Sequence, residues 1–238
     1  MKINPRKLWI IPCVFFLAAC AVNLYGCVLN NLTVERYVKG AIMPLLALTG
    51  LAWLAPRQFD IRIVALLLLA QLFGWAGDSL LMGDGFAWFA SGIGAFLLGH
   101  ICYICIFSKS LKGLRPVTWV IAVVVMAAIL VSLVLAIGIS GALLAPMVVY
   151  GSALLVISFC GLCGVCRRTG PCPCVWWMVL CGGLFFLFSD GLIAMRTFGM
   201  AHFELRGFTI MSTYMVAQSL LCAAAVRLAV SDTVPDKK

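Results

Sequence analysis

Residues Gln71 to Met82 read QLFGWAGDSLLM, with Asp78 standing at Gly77-Asp78-Ser79. The apolar run around them reaches back to Ile61, long enough to cross a bilayer as a helix. A carboxylate well inside such a span costs roughly 2.5–3.5 kcal/mol on insertion scales, so it calls for a partner or a function. Only Asp190, in Phe188-Ser189-Asp190-Gly191, has a comparable setting.

The composition agrees with a membrane setting. Of 238 residues 64% are hydrophobic and 11% charged, against about 45–50% and ~25% in ordinary globular chains. Eight spans are expected: Leu8 to Leu29, Tyr37 to Leu54, Ile61 to Met82, Phe86 to Phe107, Val117 to Ile137, Ala142 to Val165, Val175 to Phe198 and Phe208 to Val230. Turn and stop signals separate them, such as Pro56-Arg57, Gly83-Asp84-Gly85 and Arg115-Pro116. No linker is long enough to divide the chain. The expected fold is therefore all-α, a polytopic membrane protein forming one eight-helix domain over residues 1–238.

The formal charge of +9 does not imply a nucleic-acid partner, because the basic residues fall at helix ends rather than along one face. They indicate orientation instead. With the N-terminus cytoplasmic, all of the 17 Lys and Arg residues except Arg36, Lys39, Arg196 and Arg206 lie on the cytoplasmic side. Both termini are thus expected in the cytoplasm. Leu17-Ala18-Ala19-Cys20 imitates a lipoprotein cleavage site, but the apolar stretch continues to Leu29 and reads as an ordinary first span. The short loops fit a bacterial inner membrane, with an organelle membrane such as the endoplasmic reticulum left open.

Depth follows from the 1.5 Å helical rise. Asp78 lies about 25 Å along the third span and Asp190 about 22 Å along the seventh, and both spans start from the same face. The two carboxylates are therefore nearly level, towards the non-cytoplasmic side. Asn23 and Lys39 fall in the same outer half, Gln218 nearer the middle and His100 deeper. Lys39, at the start of the second span, is a candidate counter-charge.

On the third span Gln71, Trp75, Asp78 and Met82 share a helical face, with Gly74 and Gly77 permitting close helix approach. The fourth aligns Phe96, His100, Tyr103 and Phe107, and the seventh aligns Gly183, Phe186, Asp190 and Ala194. A weak internal repeat relates spans three and four to seven and eight, pairing Phe96 and His100 with Tyr214 and Gln218. A lone His or Gln in a membrane helix is more often an interhelical hydrogen-bond partner than a catalyst. Intramembrane ionisable groups are functional by default, which singles out the aspartates. Arg196, His202, Glu204 and Arg206 flank the last outer loop, where snorkelling at the interface is the simpler reading and phosphate binding its competitor. Cys160, Cys163 and Cys166, with Cys172 and Cys174, imitate iron–sulfur spacing, and Cys102 with Cys105 a redox pair. Both sets lack the flanking context of such sites and read as structural thiols.

In order and spacing, several motifs together resemble the YhhN-type lysoplasmalogenases. These are Lys39 through Pro44-Leu45-Leu46, Gly77-Asp78-Ser79-Leu80-Leu81-Met82, Phe89 through Gly92, Phe96, His100, Tyr103, Ser189-Asp190, and Tyr214 with Ala217-Gln218. Gly40 departs from the pattern, where proline is expected after the lysine. The resemblance implies eight-helix integral membrane hydrolases acting on lysophospholipids. Their reaction cleaves the vinyl ether of lysoplasmenyl-ethanolamine or -choline to a fatty aldehyde and a glycerophospho-head group. It implies Asp78 and Asp190 as the acidic positions, and no metal or organic cofactor.

Two carboxyl groups suit that chemistry. A vinyl ether resists base and yields to acid: protonation of the carbon remote from oxygen gives an oxocarbenium ion, to which water adds. The reaction needs one carboxyl carrying a proton and one anion to stabilise the cation, a division of roles that two carboxyls in a dry pocket can share. Lys39, His100, Tyr103, Tyr214, Gln218 and Asn23 are candidates to support them. Two rival readings exist. A proton-coupled transporter would use Asp78 and Asp190 as a relay, and a membrane scaffold would need neither.

Overall fold

The computed structural model describes residues 7–168, 172–197 and 204–231. Among them are eight helices, each long and apolar enough to span a membrane, and no strand. They are α1 (Ile10–Val28), α2 (Leu32–Leu54), α3 (Ile61–Leu80), α4 (Phe86–Phe107), α5 (Pro116–Ile137), α6 (Leu144–Arg167), α7 (Pro173–Thr197) and α8 (Arg206–Ser231). Short 3-10 turns follow α4 and precede α6. The protein is a multi-pass, all-α integral membrane protein.

Helix α2 begins at Leu32 rather than at Tyr37, as its apolar content alone would have it. The cause is a cap: the Asn31 side chain accepts a hydrogen bond from the Val34 backbone N–H at 3.2 Å. Lys39 consequently lies about two turns inside a helix instead of at its start. Further along α2, Pro44 has no N–H to donate to the carbonyl of Gly40. The Trp75 indole of α3 donates to that carbonyl at 2.9 Å, so the defect in α2 becomes a tie to α3. Trp75 stands at the rim of the bundle rather than beside Gln71 and Asp78 in its interior.

Helices α1, α2, α3, α4, α6, α7 and α8 pack in succession, and α8 also lies against α1, α2, α3 and α4. Small, fully buried residues, Ala217, Ala224, Ala225 and Ala229, suit α8 to this central place. Helix α5 stays outside, resting on α6 and α7 with only Ala122 and Ile137 buried. Close crossings rest on glycine at two decisive places. A Cβ at Gly77 would lie 2.6 Å from the Phe96 ring, so its absence lets α4 approach α3 next to Asp78. At Gly161 a Cβ would meet the backbone of Leu180, which fixes how near α6 comes to α7.

Candidate functional site

Asp78 is buried near the C-terminal end of α3, and each of its oxygens has a partner of its own. Lys39 Nζ lies 3.2 Å from Oδ1, and the Tyr214 hydroxyl of α8 donates to Oδ2 at 2.7 Å. Three helices therefore converge on one carboxylate. A cation and a hydrogen bond are what a buried carboxylate requires to offset its lost hydration.

Asp190 is held differently. The Tyr150 hydroxyl of α6 donates to its Oδ2. Beside it, the Ser189 hydroxyl donates to the Ile210 carbonyl of α8 at 3.1 Å, which fixes the rotation of α7 about its axis. Asp190 is only half-buried, since it lines a cavity of about 30 Å³ whose other walls include Leu81, Phe96, Met147, Tyr150 and Ala194. Such a volume accommodates about two water molecules.

The two aspartates are close enough to interact electrostatically, and so are Lys39 and Asp190. Aromatic rings fill the ground around them. Phe186 meets Tyr214 edge-on with centroids 5.5 Å apart and His100 edge-on at 4.6 Å, while His100 meets Tyr150 at 5.1 Å. Phe96 packs on His100, Phe186 and Tyr214. Each carboxyl is thus bound by a tyrosine of one shared cluster.

A string of polar groups leads away from Asp78 through the core. Gln71 Nε2 donates to the Tyr103 hydroxyl at 2.8 Å, and that hydroxyl donates to Gln218 Oε1 at 3.1 Å. Gln218 lies one turn beyond Tyr214 and reaches its hydroxyl. Two buried atoms in this region, His100 Nδ1 and Gln71 Oε1, have no hydrogen-bond partner among the described residues. Buried polar atoms of that kind call for a water or a ligand.

Of the expected residues, Lys39, Asp78, His100, Asp190 and Tyr214 come together, with Tyr103 and Gln218 behind them. Asn23 stands apart: its amide donates to the Glu35 carbonyl at 3.1 Å and ties α1 to α2, one turn from Lys39. His202 and the side chain of Arg196 lie outside the described residues, Glu204 is exposed, and Arg206 opens α8. The twelve cysteines are free thiols. Among the described residues no group of three or more His, Cys, Asp or Glu converges as metal ligands.

Tyr150 was not singled out in the sequence, where only cysteines mark the otherwise apolar sixth span. Its depth carried the signal. Tyr150 lies about 9 Å into α6 and Asp190 about 10 Å before the end of α7, measured from the same side of the bundle.

No curated protein and no solved structure matches the chain. A family model described as the YhhN family matches residues 34–225. The matched stretch runs from the first turn of α2 into the final turns of α8 and contains every side chain that binds the two aspartates. The chain belongs to the YhhN family.

Proposed function

We propose that this protein is a hydrolase of lysoplasmalogens, cleaving their vinyl ether to a fatty aldehyde and a glycerophosphoethanolamine or glycerophosphocholine. The observation that carries the reading is the unequal dressing of two neighbouring carboxyls. Asp78 has a cation at 3.2 Å and a tyrosine hydroxyl. Asp190 has a tyrosine hydroxyl and a largely apolar cavity.

Asp78 is the member suited to stay an anion, because Lys39 compensates its charge directly. An unpaired anion facing an apolar cavity is costly, so Asp190 is the member suited to carry the proton. With the Tyr150 hydroxyl donating to Oδ2, the proton to be delivered is carried on Oδ1. Asp190 delivers it to the vinyl carbon remote from oxygen. Asp78 remains the anion and stabilises the oxocarbenium ion across the aromatic cluster, while the Asp190 carboxylate left by the transfer takes a proton from the water that adds. The hemiacetal then collapses to aldehyde and alcohol as its hydroxyl proton passes, through Asp190, to the departing glycerol oxygen, which leaves Asp190 protonated as it began. Two carboxyls of unequal environment divide acid and anion roles in the same way at other oxocarbenium sites.

Replacing either aspartate by asparagine is expected to lower aldehyde release by roughly 10²–10⁴-fold, the usual worth of a positioned acid or base. The assay is aldehyde formation by purified protein, with thermal unfolding in detergent to show that the variants fold. Full activity in either variant defeats the assignment. A second reading has one observation in its favour, the polar string from Lys39 through Asp78, Tyr214, Gln218 and Tyr103 to Gln71, which could pass a proton along the bundle. It predicts proton-dependent uptake in proteoliposomes and no turnover of lipid.

A further inference from the structure

A second hollow opens on the other side of Asp190. It lies between α5, α6 and α7, has a volume of about 50 Å³, and shares Met147, Tyr150, Asp190 and Ala194 with the cavity described above. The tyrosine–aspartate pair therefore stands at the junction of two spaces.

The lining follows one pattern on all three helices. Helix α5 contributes Leu130, Leu133, Val134 and Ile137, which is the i, i+3, i+4, i+7 spacing of one helical stripe, and α6 and α7 repeat it from Met147 to Leu154 and from Leu187 to Ala194. Each stripe spans eight residues, seven helical rises, so the hollow runs for about 10 Å along the bundle. Gly151 of α6 and Gly191 of α7 hold the same i+4 place in their stripes. A Cβ at Gly191 would meet nothing within 4 Å, so the space there is left by the missing side chain. Leu130, Leu133 and Val134 are half-exposed on the outer face, which puts the long side of the groove in contact with the hydrocarbon of the membrane.

We propose that this groove seats the hydrocarbon chain of a single-chain membrane lipid and presents the head of that chain to Asp190. The proposal rests on the functional reading above and adds the place and direction of substrate binding. One stripe from each of three helices encloses the width of one chain, which selects lysolipids over lipids with two. Apart from the Tyr150 hydroxyl and the Asp190 carboxyl the lining is apolar, so the one point at which a polar end is welcome is the point of reaction. Helix α5 is the outer wall, since its main contacts are with α6 and α7 and entry along its flank leaves the packing of the other seven helices intact.

The test uses the full chain in lipid nanodiscs and a saturated 1-O-alkyl lysophospholipid carrying a photoreactive diazirine in its chain, which the proposed reaction cannot cleave. Cross-links are mapped by mass spectrometry with and without excess unlabelled lysophospholipid. Competed cross-links on the peptides of 130–139 and 187–194, reduced at least tenfold in Gly191→Leu, support the groove. Val134→Phe, which narrows it from the outer helix, gives the same reduction and serves if Gly191→Leu does not fold. Cross-links spread over all lipid-facing helices and unaffected by competitor overturn it. Specific cross-linking with no aldehyde from a lysoplasmalogen supports the groove and overturns the reaction instead.

Discussion

A salt bridge and two tyrosines decide how the carboxyls differ. Asp78 was legible in the sequence as an acid where insertion energetics disfavour one, and Lys39 was legible as its counter-charge because both fell in the same half of the membrane. Tyr150 was not, because a tyrosine in an apolar helix carries no mark of its partner. The weak repeat hid it further: Phe96 holds in the α3–α4 pair the place that Tyr214 holds in α7–α8, and it has no hydroxyl to offer Asp190. Helix α6 supplies the hydroxyl in its stead. Tyr150→Phe keeps the ring against His100 and removes only that donor. The expected loss is about 1–3 kcal/mol of transition-state stabilisation, the cost of leaving a buried polar group unpaired. It is read as a fall in kcat for aldehyde release with the unfolding temperature nearly unchanged, and an unaltered kcat would remove Tyr150 from the site.

Among the elements, α2 departs most from its sequence reading, and the reason is local. Apolar content marks the part of a helix that meets lipid, whereas Asn31 starts this one before the lipid-like stretch begins. Pro44 and Trp75 then couple α2 to α3 near Lys39. Trp75→Phe is expected to destabilise the protein by about 0.5–1.5 kcal/mol, the net worth of one hydrogen bond at the rim, because the Gly40 carbonyl loses the indole donor. Pro44→Ala restores a backbone donor within α2, so the double variant should recover part of that loss. Additive losses in chemical unfolding would show that the two residues do not share the carbonyl.

The whole molecule was readable in its number of spans and not in their arrangement. Length and hydropathy count helices, and the rise per residue gives depth, but neither says which way a helix faces. Equal depth of Asp78 and Asp190 became proximity only through the aromatic cluster and through α8, on which α3 and α7 both pack. The seclusion of α5 was equally hidden, for it is apolar on every side and so has no preferred face. An even number of spans puts both termini on one side, and from the distribution of Lys and Arg we propose that this side is the cytoplasm. Reporter fusions at each terminus should both report cytoplasmic exposure, and opposite signals would mean a span count other than eight.

The most direct measurement of the proposed chemistry is made on the product. Purified protein is incubated with a lysoplasmalogen in D₂O, the aldehyde is trapped as its hydrazone as it forms, and its deuterium content is read by mass spectrometry. Acid attack on the vinyl ether places one solvent deuteron on the carbon next to the carbonyl, and the asparagine variants of Asp78 and Asp190 form little of this product. Aldehyde without that deuteron, or no aldehyde from the unaltered protein, would contradict the account.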